Sequence, residues 1–365
     1  MNELPRPRAQ IMELRPYIQG RSALAGIAFP VKLSSNESSY GPSPRARTAY
    51  RDAEEFLHRY PDGAQEDLRQ ALAQTYGLEK ERIICGNGSE ELIGLLIRAY
   101  AGEGDEIVLS ENHFMMCPIY GRTQGARIVL AAESDYKVDV DALLSCVTRA
   151  TRMVIVANPN NPTGTYIPAS EVRRLHCALP SHVLLLLDGA YSEYVVAKDY
   201  EDGSALVTEE GNVVMTRTFS KIHGLAGLRI GWAYAPAHVI DALQRIRTPF
   251  NANRAALAAA AEATRDVEFV AGVRRSNALA QQYVREQLLE LGLPIIPSVT
   301  NFYLIDFGGV AGKSAREASA FLESRGVIPR PIKSGRGENT LRITIGREHE
   351  NAAAFAALRD YLAAR

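Results

Sequence analysis

The segment Thr218–Arg229 combines an amine with groups that bind phosphate. Its sequence is T-F-S-K-I-H-G-L-A-G-L-R, so Lys221 lies near two hydroxyl residues, Thr218 and Ser220, and eight residues before Arg229. A lysine amine forms a Schiff base with a carbonyl once burial or nearby positive charge favours its neutral form, while hydroxyls and an arginine fork can hold a phosphate. A ligand with both an aldehyde and a phosphate, such as pyridoxal 5′-phosphate, fits this pattern. An ordinary surface loop, in which any cation would serve, is the alternative that the segment alone leaves open.

Two apolar runs end in polar residues that could complete such a site. M-V-I-V-A is followed by N-P-N-N-P-T-G, where prolines and a glycine shape a loop that presents Asn161. H-V-L-L-L-L-D-G-A-Y contains Asp188 and places Tyr191 three residues later. A carboxylate at the end of a buried strand needs a cation or hydrogen-bond donors, and a protonated pyridine nitrogen would be such a partner. A plain turn, a helix cap or salt bridge, and a core tyrosine are the respective alternatives.

A third segment, I-I-C-G-N-G-S-E-E-L, runs from a strand through two glycines into a helix that begins near Ser89. The N–H groups and the dipole at a helix start form an anion site. Ser89 followed by acidic residues is equally typical of a structural N-cap. The segment has Glu91 where a dinucleotide fingerprint has its third glycine, which disfavours a nicotinamide cofactor.

Two arginines near the C-terminus could hold an anionic substrate. Arg330 lies between prolines in I-P-R-P-I, and Arg342 lies in the strand-like alternation T-L-R-I-T-I-G. An arginine fork in either place could bind a carboxylate or a phosphate. A solvated surface arginine is the commoner role for each of them.

The composition excludes several classes of function. The 365 residues carry 41 basic and 42 acidic side chains, so no net field would attract nucleic acid or an anionic membrane. The four cysteines are widely spaced and the histidines show no metal-ligand spacing, which favours free thiols and no metal site. The N-terminal residues lack the pattern of a signal peptide, and no run of about twenty apolar residues occurs. We therefore expect a cytoplasmic protein.

The candidate residues lie at the ends of short apolar runs that recur from Arg82 to about Ala235. Continuous runs are typical of strands buried on both faces, and therefore of an α/β fold with a mostly parallel central sheet flanked by helices. The composition from Arg254 to Leu291 favours long helices. A chain of this length exceeds one core. We predict an N-terminal arm packing with the small domain at residues 1–35, a large ligand-binding domain at 36–255 and a small α/β C-terminal domain at 256–365.

Together these segments resemble the fold-type I pyridoxal-phosphate-dependent aminotransferases, and their order is most similar to the histidinol-phosphate aminotransferase branch. The resemblance covers nearly the whole chain. It rests on segments that occur in the family's order, which are L-R-P-Y, K-L-S-S-N-E-S-S-Y-G-P-S-P, R-Y-P-D-G, G-N-G-S-E-E, N-P-N-N-P-T-G, D-G-A-Y, T-F-S-K-I-H-G-L-A-G-L-R-I-G-W and L-R-I-T-I-G. Coincidence across all of them is implausible.

The resemblance implies pyridoxal 5′-phosphate as cofactor and catalytic roles for Lys221, Asp188 and Tyr191. Lys221 would hold the cofactor covalently and then move the proton between the substrate carbon and the cofactor. Asp188 would keep the pyridine nitrogen protonated, so that the ring accepts electrons. Asn161 and Tyr191 would bind the phenolic oxygen, and Phe114 would cover one face of the ring. The remaining cofactor contacts would come from Gly88, Ser89, Glu90, Thr218, Ser220 and Arg229.

The resemblance also implies contacts beyond the cofactor. Tyr60 would reach the cofactor phosphate of a neighbouring subunit, so the chain would form a homodimer with composite active sites. The substrates would be a small-molecule amino donor and a 2-oxo acid acceptor. The resemblance to the histidinol-phosphate branch implies histidinol phosphate and 2-oxoglutarate, and therefore a reaction of histidine biosynthesis. Substrate contacts are implied for Tyr17, Asn36, Arg330 and Arg342.

The sequence departs from the commoner patterns of the family at Gly189, at E-N-H-F-M-M-C and at His223. The second departure leaves open whether Phe114 or His113 covers the cofactor ring. Three other functions stay open at this point: an aromatic amino-acid aminotransferase, a pyridoxal-phosphate-dependent decarboxylase of amino-acid phosphates, and a binding module without activity. The intact lysine, aspartate and arginine disfavour the last of these.

Overall fold

The computed structural model describes residues 4–332 and 339–364. Within these residues the largest sheet has seven strands, in the spatial order β2 (Ile83–Gly86), β10 (Gly231–Tyr234), β9 (Val213–Thr218), β8 (Leu184–Asp188), β7 (Thr151–Ala157), β3 (Glu106–Ser110) and β4 (Arg127–Ala131). Strands β4, β3, β7, β8 and β9 run parallel to one another, and β10 is antiparallel to both of its neighbours. The prediction of a mostly parallel central sheet is confirmed.

Alternate residues of the central strands pack into different cores on the two faces of this sheet. Val154 and Leu185 belong to one hydrophobic cluster, while Ile155 and Leu186 belong to another. Successive side chains of a strand point to opposite faces, so both faces must be covered by helices. The helices of the described residues are α1 Ala9–Met12, α2 Pro44–Asp52, α3 Glu66–Tyr76, α4 Ser89–Tyr100, α5 Met116–Thr123, α6 Val140–Ser145, α7 Ala169–Ala178, α8 Ala237–Ile246, α9 Arg254–Arg265, α10 Val267–Glu290, α11 Ala315–Ser324 and α12 Glu348–Ala363.

A second sheet, with its own core, lies in the C-terminal part of the chain. Its four described strands are antiparallel. Their spatial order is β11 (Ile295–Ile296), β12 (Phe302–Asp306), β15 (Thr340–Thr344) and β14 (Arg330–Ile332). The helical pattern after Arg254 forms α9 and α10, which Asp266 separates by capping the N–H of Phe269. The division into an arm and two domains stays a prediction. The remaining described strands are β1 Val31–Lys32, β5 Glu133–Ser134, β6 Lys137–Val138 and β13 Val327–Ile328.

The N-terminal residues cross from the large sheet to the C-terminal part. Arg8 donates to the carbonyl of Thr123 at the end of α5. Further along, β1 pairs in parallel with β13, and Arg21 forms an ion pair with Glu323 of α11. Within the described residues, no helix is both long and apolar enough to span a membrane.

Candidate active site

Three neighbouring parallel strands end side by side at one edge of the large sheet. Ala157, Asp188 and Thr216 are register partners across β7, β8 and β9. The chain beyond these positions therefore forms loops at the same edge, where ligands bind in open parallel sheets. These loops surround a cavity of about 270 Å³ that is lined by Ser89, Glu90, Phe114, Asn161, Asp188, Tyr191, Thr218, Ser220, Lys221 and Arg229, among others.

Lys221 lies on the wall of this cavity, three residues beyond the end of β9. Its Nζ donates to the carbonyl oxygen of Ser35 at 3.1 Å and lies 5.6 Å from the centroid of the Tyr191 ring. The amine is thus held at the centre of the site by a backbone oxygen from a distant part of the chain. Within the described residues this amine forms no salt bridge, so none would have to break for it to react.

The hydroxyl and arginine groups that the sequence predicted for a phosphate lie together at one end of the cavity. Arg229 donates to the Ser220 hydroxyl at 3.2 Å, and Ser220 N–H donates to the Thr218 hydroxyl at 3.1 Å. Ser89, the first residue of α4, lines the same cavity, so the first N–H groups of a twelve-residue helix, without intrahelical acceptors, belong to this site. The arrangement is a ready anion site.

Gly88 is required where α4 meets Arg229. Its φ is +87°, and a β-carbon there would lie 2.6 Å from Arg229 Nη2. Any side chain would therefore be strained and would displace the guanidinium. Nη2 of Arg229 is also 3.8 Å from a carboxylate oxygen of Glu90, whose other oxygen accepts from Tyr120. Glu90 thus orients the arginine, and its backbone N–H belongs to the helix start.

Asp188 lies at the other end of the cavity and is 7% exposed. Burial raises its pKa to about 6, although hydrogen bonds from the Thr216 hydroxyl and the Ala190 N–H and the charge of Lys221 oppose this shift. The Thr216 hydroxyl lies 3.0 Å from the carboxylate. A buried carboxylate with so few compensating donors is stabilised by a cationic partner. The geometry therefore suits a ligand with a protonated ring nitrogen at this end.

An adjoining cavity of about 160 Å³ opens on the other side of Lys221. It brings all four residues implied for substrate contact to one place. The lining residues that it shares with the first cavity are Tyr17, Ser35, Phe114, Asn161, Tyr191 and Lys221. The amine thus faces two compartments, of which one has the anion site and the other has additional cations. The lining includes Tyr17, Asn36, His113, Phe114, Met115, Arg330 and Arg342.

Arg342 lines the adjoining cavity and binds Asn161, which lines both cavities. Its side chain is buried, and it donates from Nη1 to the side-chain oxygen of Asn161 and from Nη2 to the carbonyl of Ser34 at 2.9 Å. Burial, followed by the charge of Arg330, lowers its pKa. Its Nε is buried and has no hydrogen-bond partner among the described residues. An anion in the adjoining cavity would stabilise both arginines, because Arg330 and Arg342 are register partners on β14 and β15.

Phe114, and not His113, lines the cavity that holds Asp188 and the anion site. The imidazole of His113 is turned away, with Nδ1 2.9 Å from the carbonyl of Ser110, and it lines only the neighbouring spaces. Burial lowers the pKa of His113. The contacts favour Phe114 as the residue that would cover a ring between Asp188 and Lys221.

The other two departures from the family pattern have local structural reasons. A β-carbon at Gly189 would lie 2.4 Å from Ser192 Oγ, a hydroxyl that bonds Tyr200, so the glycine accompanies the serine. His223 is buried under the Lys221 loop, 4.8 Å from the Phe219 ring, and burial lowers its pKa. Neither residue lines the cavities described above.

Tyr60 is not part of this site within one chain. It is 78% exposed and stacks on Phe250 with ring centroids 4.7 Å apart. All other residues implied for cofactor or substrate contact line the two cavities, except Gly88, which packs on Arg229. The structure leaves Tyr60 available to another molecule.

Residues that the sequence did not single out complete the site. Thr216 shares a face of β9 with Thr218 and bonds Asp188; the alternation T-R-T carried this signal, because residues two apart in a strand point the same way. The carbonyls of Ser34 and Ser35 bond Arg342 and Lys221. These carbonyls carried no signal, because the contacts are made by the backbone of a distant segment.

Comparison with known proteins agrees with this geometry. The sequence model of the family Aminotransferase class I and II matches residues 30–358. The curated histidinol-phosphate aminotransferase of Nitrobacter hamburgensis is 48% identical over 98% of this chain and 99% of its own length, and that of Paramagnetospirillum magneticum is 47% identical over 99% of both. The solved structure of histidinol-phosphate aminotransferase from Sinorhizobium meliloti in complex with pyridoxal 5′-phosphate matches with a TM-score of 0.90 at 30% identity, covering 99% of this chain and 98% of that one.

The sequence match extends over nearly the whole chain, and the fold match does as well. The implied architecture is therefore confirmed together with the implied enzyme class and cofactor. Since the strand ends, the lysine and the anion site also take the places that this chemistry requires, the chain belongs to the class I and II aminotransferases, in the fold-type I group of enzymes that depend on pyridoxal 5′-phosphate.

Proposed function

We propose that this enzyme transfers the amino group between L-histidinol phosphate and 2-oxoglutarate, giving imidazole acetol phosphate and glutamate. The observation that carries the proposal is the full-length similarity, at 47–48% identity, to curated histidinol-phosphate aminotransferases. The site supports it, since a cavity with two arginines adjoins the cofactor cavity and suits a substrate with an anionic group. The reaction belongs to histidine biosynthesis, and we expect it to take place in the cytoplasm.

The residues of the larger cavity fit pyridoxal 5′-phosphate. The buried Asp188 needs a cation, which the protonated pyridine nitrogen would provide. Ser89, Thr218, Ser220 and Arg229 would hold the phosphate, and Phe114 would cover the ring. When bound, the cofactor supplies an aldehyde that captures the substrate amine and a ring that accepts the electrons left when a proton leaves the substrate carbon.

Lys221 would transfer protons beside this ring, and Tyr191 would donate a hydrogen bond to it. Lys221 lines both cavities. Once the substrate amine has replaced Lys221 on the cofactor, the freed Nζ would remove a proton from the substrate carbon and deliver it to the cofactor's aldehyde carbon. The hydroxyl of Tyr191 and the amide of Asn161 would bind the phenolic oxygen. The guanidinium of Arg342 already holds Asn161, which fixes that amide.

The substrate cavity would select an anion with an aromatic end. Arg342 and Arg330 would bind the phosphate or, in the second half of the reaction, a carboxylate of 2-oxoglutarate. Tyr17 contributes an aromatic wall, and the guanidinium carbon of Arg330 lies 5.9 Å from its ring centroid. Asn36 also lines this space, although its side chain is engaged within the protein.

Steady-state kinetics with 2-oxoglutarate test the choice of substrate. We expect kcat/KM for histidinol phosphate to exceed that for unphosphorylated histidinol by at least about 100-fold, because an arginine pair without its anion is left unpaired. It should also exceed kcat/KM for phenylalanine and tyrosine, whose anionic group is a singly charged carboxylate and not a phosphate. Comparable values for phenylalanine would establish an aromatic aminotransferase. Release of carbon dioxide from an amino-acid phosphate without transamination would establish a decarboxylase.

We further propose a homodimer in which Tyr60 contributes to the partner's cofactor site. Tyr60 stacks on the exposed Phe250, and Arg254, which donates to the Tyr60 carbonyl, lies 5.5 Å from the ring centroid of the exposed Phe56. A contiguous exposed apolar surface of this kind marks an interface. A second copy of the chain would cover it and would bring Tyr60 to the phosphate end of the neighbouring cavity.

Mixing two inactive variants tests the composite site. Lys221→Ala and Tyr60→Ala subunits, denatured together and refolded, form hybrid dimers with one intact site, so we expect about one quarter of wild-type activity from a statistical mixture. The matched control mixes Lys221→Ala with Asp188→Asn, which lie in the same subunit's site and leave no intact site. The proposal fails if both mixtures behave alike or if sedimentation shows a monomer.

A further inference from the structure

We propose that Asn36 is a positioning residue, whose side-chain amide donates to the Tyr191 hydroxyl oxygen and thereby directs the hydroxyl proton toward the phenolic oxygen of the cofactor. The inference rests on the proposed function, because it assumes that the cofactor occupies the cavity beside Tyr191. It gives Asn36 a role that differs from the substrate contact implied by the family resemblance.

Asn36 is buried, and contacts from other segments hold both its backbone and its side chain. It is 0% exposed and adopts a left-handed backbone with φ of +54°, a conformation that costs free energy for a residue with a side chain. Its carbonyl accepts from Asn301 at 3.1 Å, and its N–H donates to the Thr344 hydroxyl at 3.0 Å. Contacts from the C-terminal sheet therefore fix both the backbone and the direction of the side chain.

The hydrogen-bond network determines which end of the Asn36 amide faces Tyr191. The Thr344 hydroxyl oxygen accepts the backbone N–H of Asn36, so its own proton is free to be donated to the Asn36 side-chain oxygen, 3.2 Å away. The amide nitrogen then faces the Tyr191 hydroxyl at 2.9 Å. Because an amide nitrogen can only donate, the tyrosine oxygen must accept.

A tyrosine hydroxyl has a single proton, and this bond leaves that proton free. The Tyr191 ring is fixed edge-on against Phe302, with centroids 5.3 Å apart, so the hydroxyl can only rotate. Two cations also act on the ring: Lys221, 5.6 Å from its centroid, and the nearby Arg342. With the oxygen already accepting from Asn36, the favourable direction for the proton is the cavity, where the phenolic oxygen would lie.

The same contacts link this hydrogen bond to the substrate cavity. Thr344, which orients Asn36, is two residues from Arg342 on β15, and so both side chains leave the strand on one face. The chain of contacts runs from β15 through Thr344 and Asn36 to Tyr191. One strand therefore positions both the arginine for the substrate anion and the donor for the cofactor oxygen.

The visible spectrum of the holoenzyme without substrate provides the test. The link between Lys221 and the cofactor takes up a proton as the pH falls, which changes the visible band. A donor to the phenolic oxygen stabilises its anionic form and lowers the pH midpoint of this change. We expect Asn36→Gly, which keeps the left-handed backbone without strain, to raise the midpoint by about 0.5–1 pH unit. Asn36→Asp, of equal size but accepting the tyrosine proton, should raise it at least as far.

A double-mutant cycle separates this role from a structural one. In a Tyr191→Phe background, Asn36→Gly and Asn36→Asp should leave the midpoint where Tyr191→Phe alone puts it, whereas a structural defect would lower the melting temperature in both backgrounds. The proposal is overturned if the midpoint of both single variants equals that of the wild type, or if it moves equally with and without the hydroxyl. Because no substrate is present, failure here would leave the proposed reaction unaffected.

Discussion

Replacing Lys221 by alanine is expected to lower kcat/KM for histidinol phosphate by at least about 10⁴-fold, because one change removes both the covalent anchor of the cofactor and the group that moves the proton. The cofactor should still bind, since the anion site at Ser220 and Arg229 and the carboxylate of Asp188 are intact. After borohydride reduction, the mass of the wild-type chain should increase by one cofactor on the peptide that contains Lys221. The variant should show no such adduct.

Lys198→Ala is the matched control, because Lys198 is an exposed lysine outside the two cavities. It should keep both the activity and the adduct. Substantial activity in Lys221→Ala, or an adduct on another lysine in the wild type, would show that the amine has been assigned to the wrong residue.

Replacing Asp188 by asparagine is expected to lower activity and stabilise the apoenzyme at the same time. The amide cannot hold a proton on the pyridine nitrogen, so the ring becomes a weaker acceptor of electrons and kcat should fall by about 10²–10³-fold. In the apoenzyme the same change removes a buried charge. The carboxylate that the chemistry needs is thus destabilising in the apoenzyme.

The stability effect has a defined pH window. Burial raises the pKa of Asp188 from 3.8 to about 6 in the folded apoenzyme. The folded chain therefore binds this proton more strongly than the unfolded chain does. As a result, the free energy of unfolding falls as the pH rises from about 4 to about 6, and it stays at the lower value above that pH. A difference of about two pKa units corresponds to a loss of at most about 3 kcal/mol.

Urea unfolding of the two apoenzymes measures this loss. Asp188→Asn should be more stable than the wild type by up to about 3 kcal/mol at pH 8, and the difference should largely vanish near pH 4. Saturation with the cofactor should reverse the order at pH 8, because the ligand supplies the missing cation to the aspartate alone. Equal stability at both pH values would mean that the carboxylate is already compensated without the cofactor.

The central residues of the site could be predicted because each follows an apolar run. Asp188 is the last residue of a buried strand, Asn161 lies four residues beyond the end of the neighbouring strand, and Lys221 lies three residues beyond a third. A parallel sheet must therefore bring them to one edge. The anion site needed one fact that the pattern does not contain, the antiparallel direction of β10. Burial gives no strand direction, yet this strand returns the chain so that Gly231 is the register partner of Thr218, with Arg229 nearby.

Contacts made by distant segments could not be predicted from the sequence pattern. Asn36 and Tyr191 are 155 positions apart, and Arg342 reaches the Ser34 carbonyl across 308. These pairs depend on how the C-terminal sheet packs on the large one, which no local periodicity encodes. The family resemblance pointed to Asn36 and Arg342, but the hydrogen-bond roles became visible only when donors and acceptors were placed in space.

A single half-reaction tests the central claim most directly. Purified holoenzyme is mixed with one equivalent of histidinol phosphate in the absence of any 2-oxo acid, and the visible spectrum and the products are followed. The account predicts loss of the visible cofactor band with formation of one equivalent of imidazole acetol phosphate, and return of the band with formation of glutamate when 2-oxoglutarate is added. An unchanged band, or loss of the band that 2-oxoglutarate does not reverse, would contradict it.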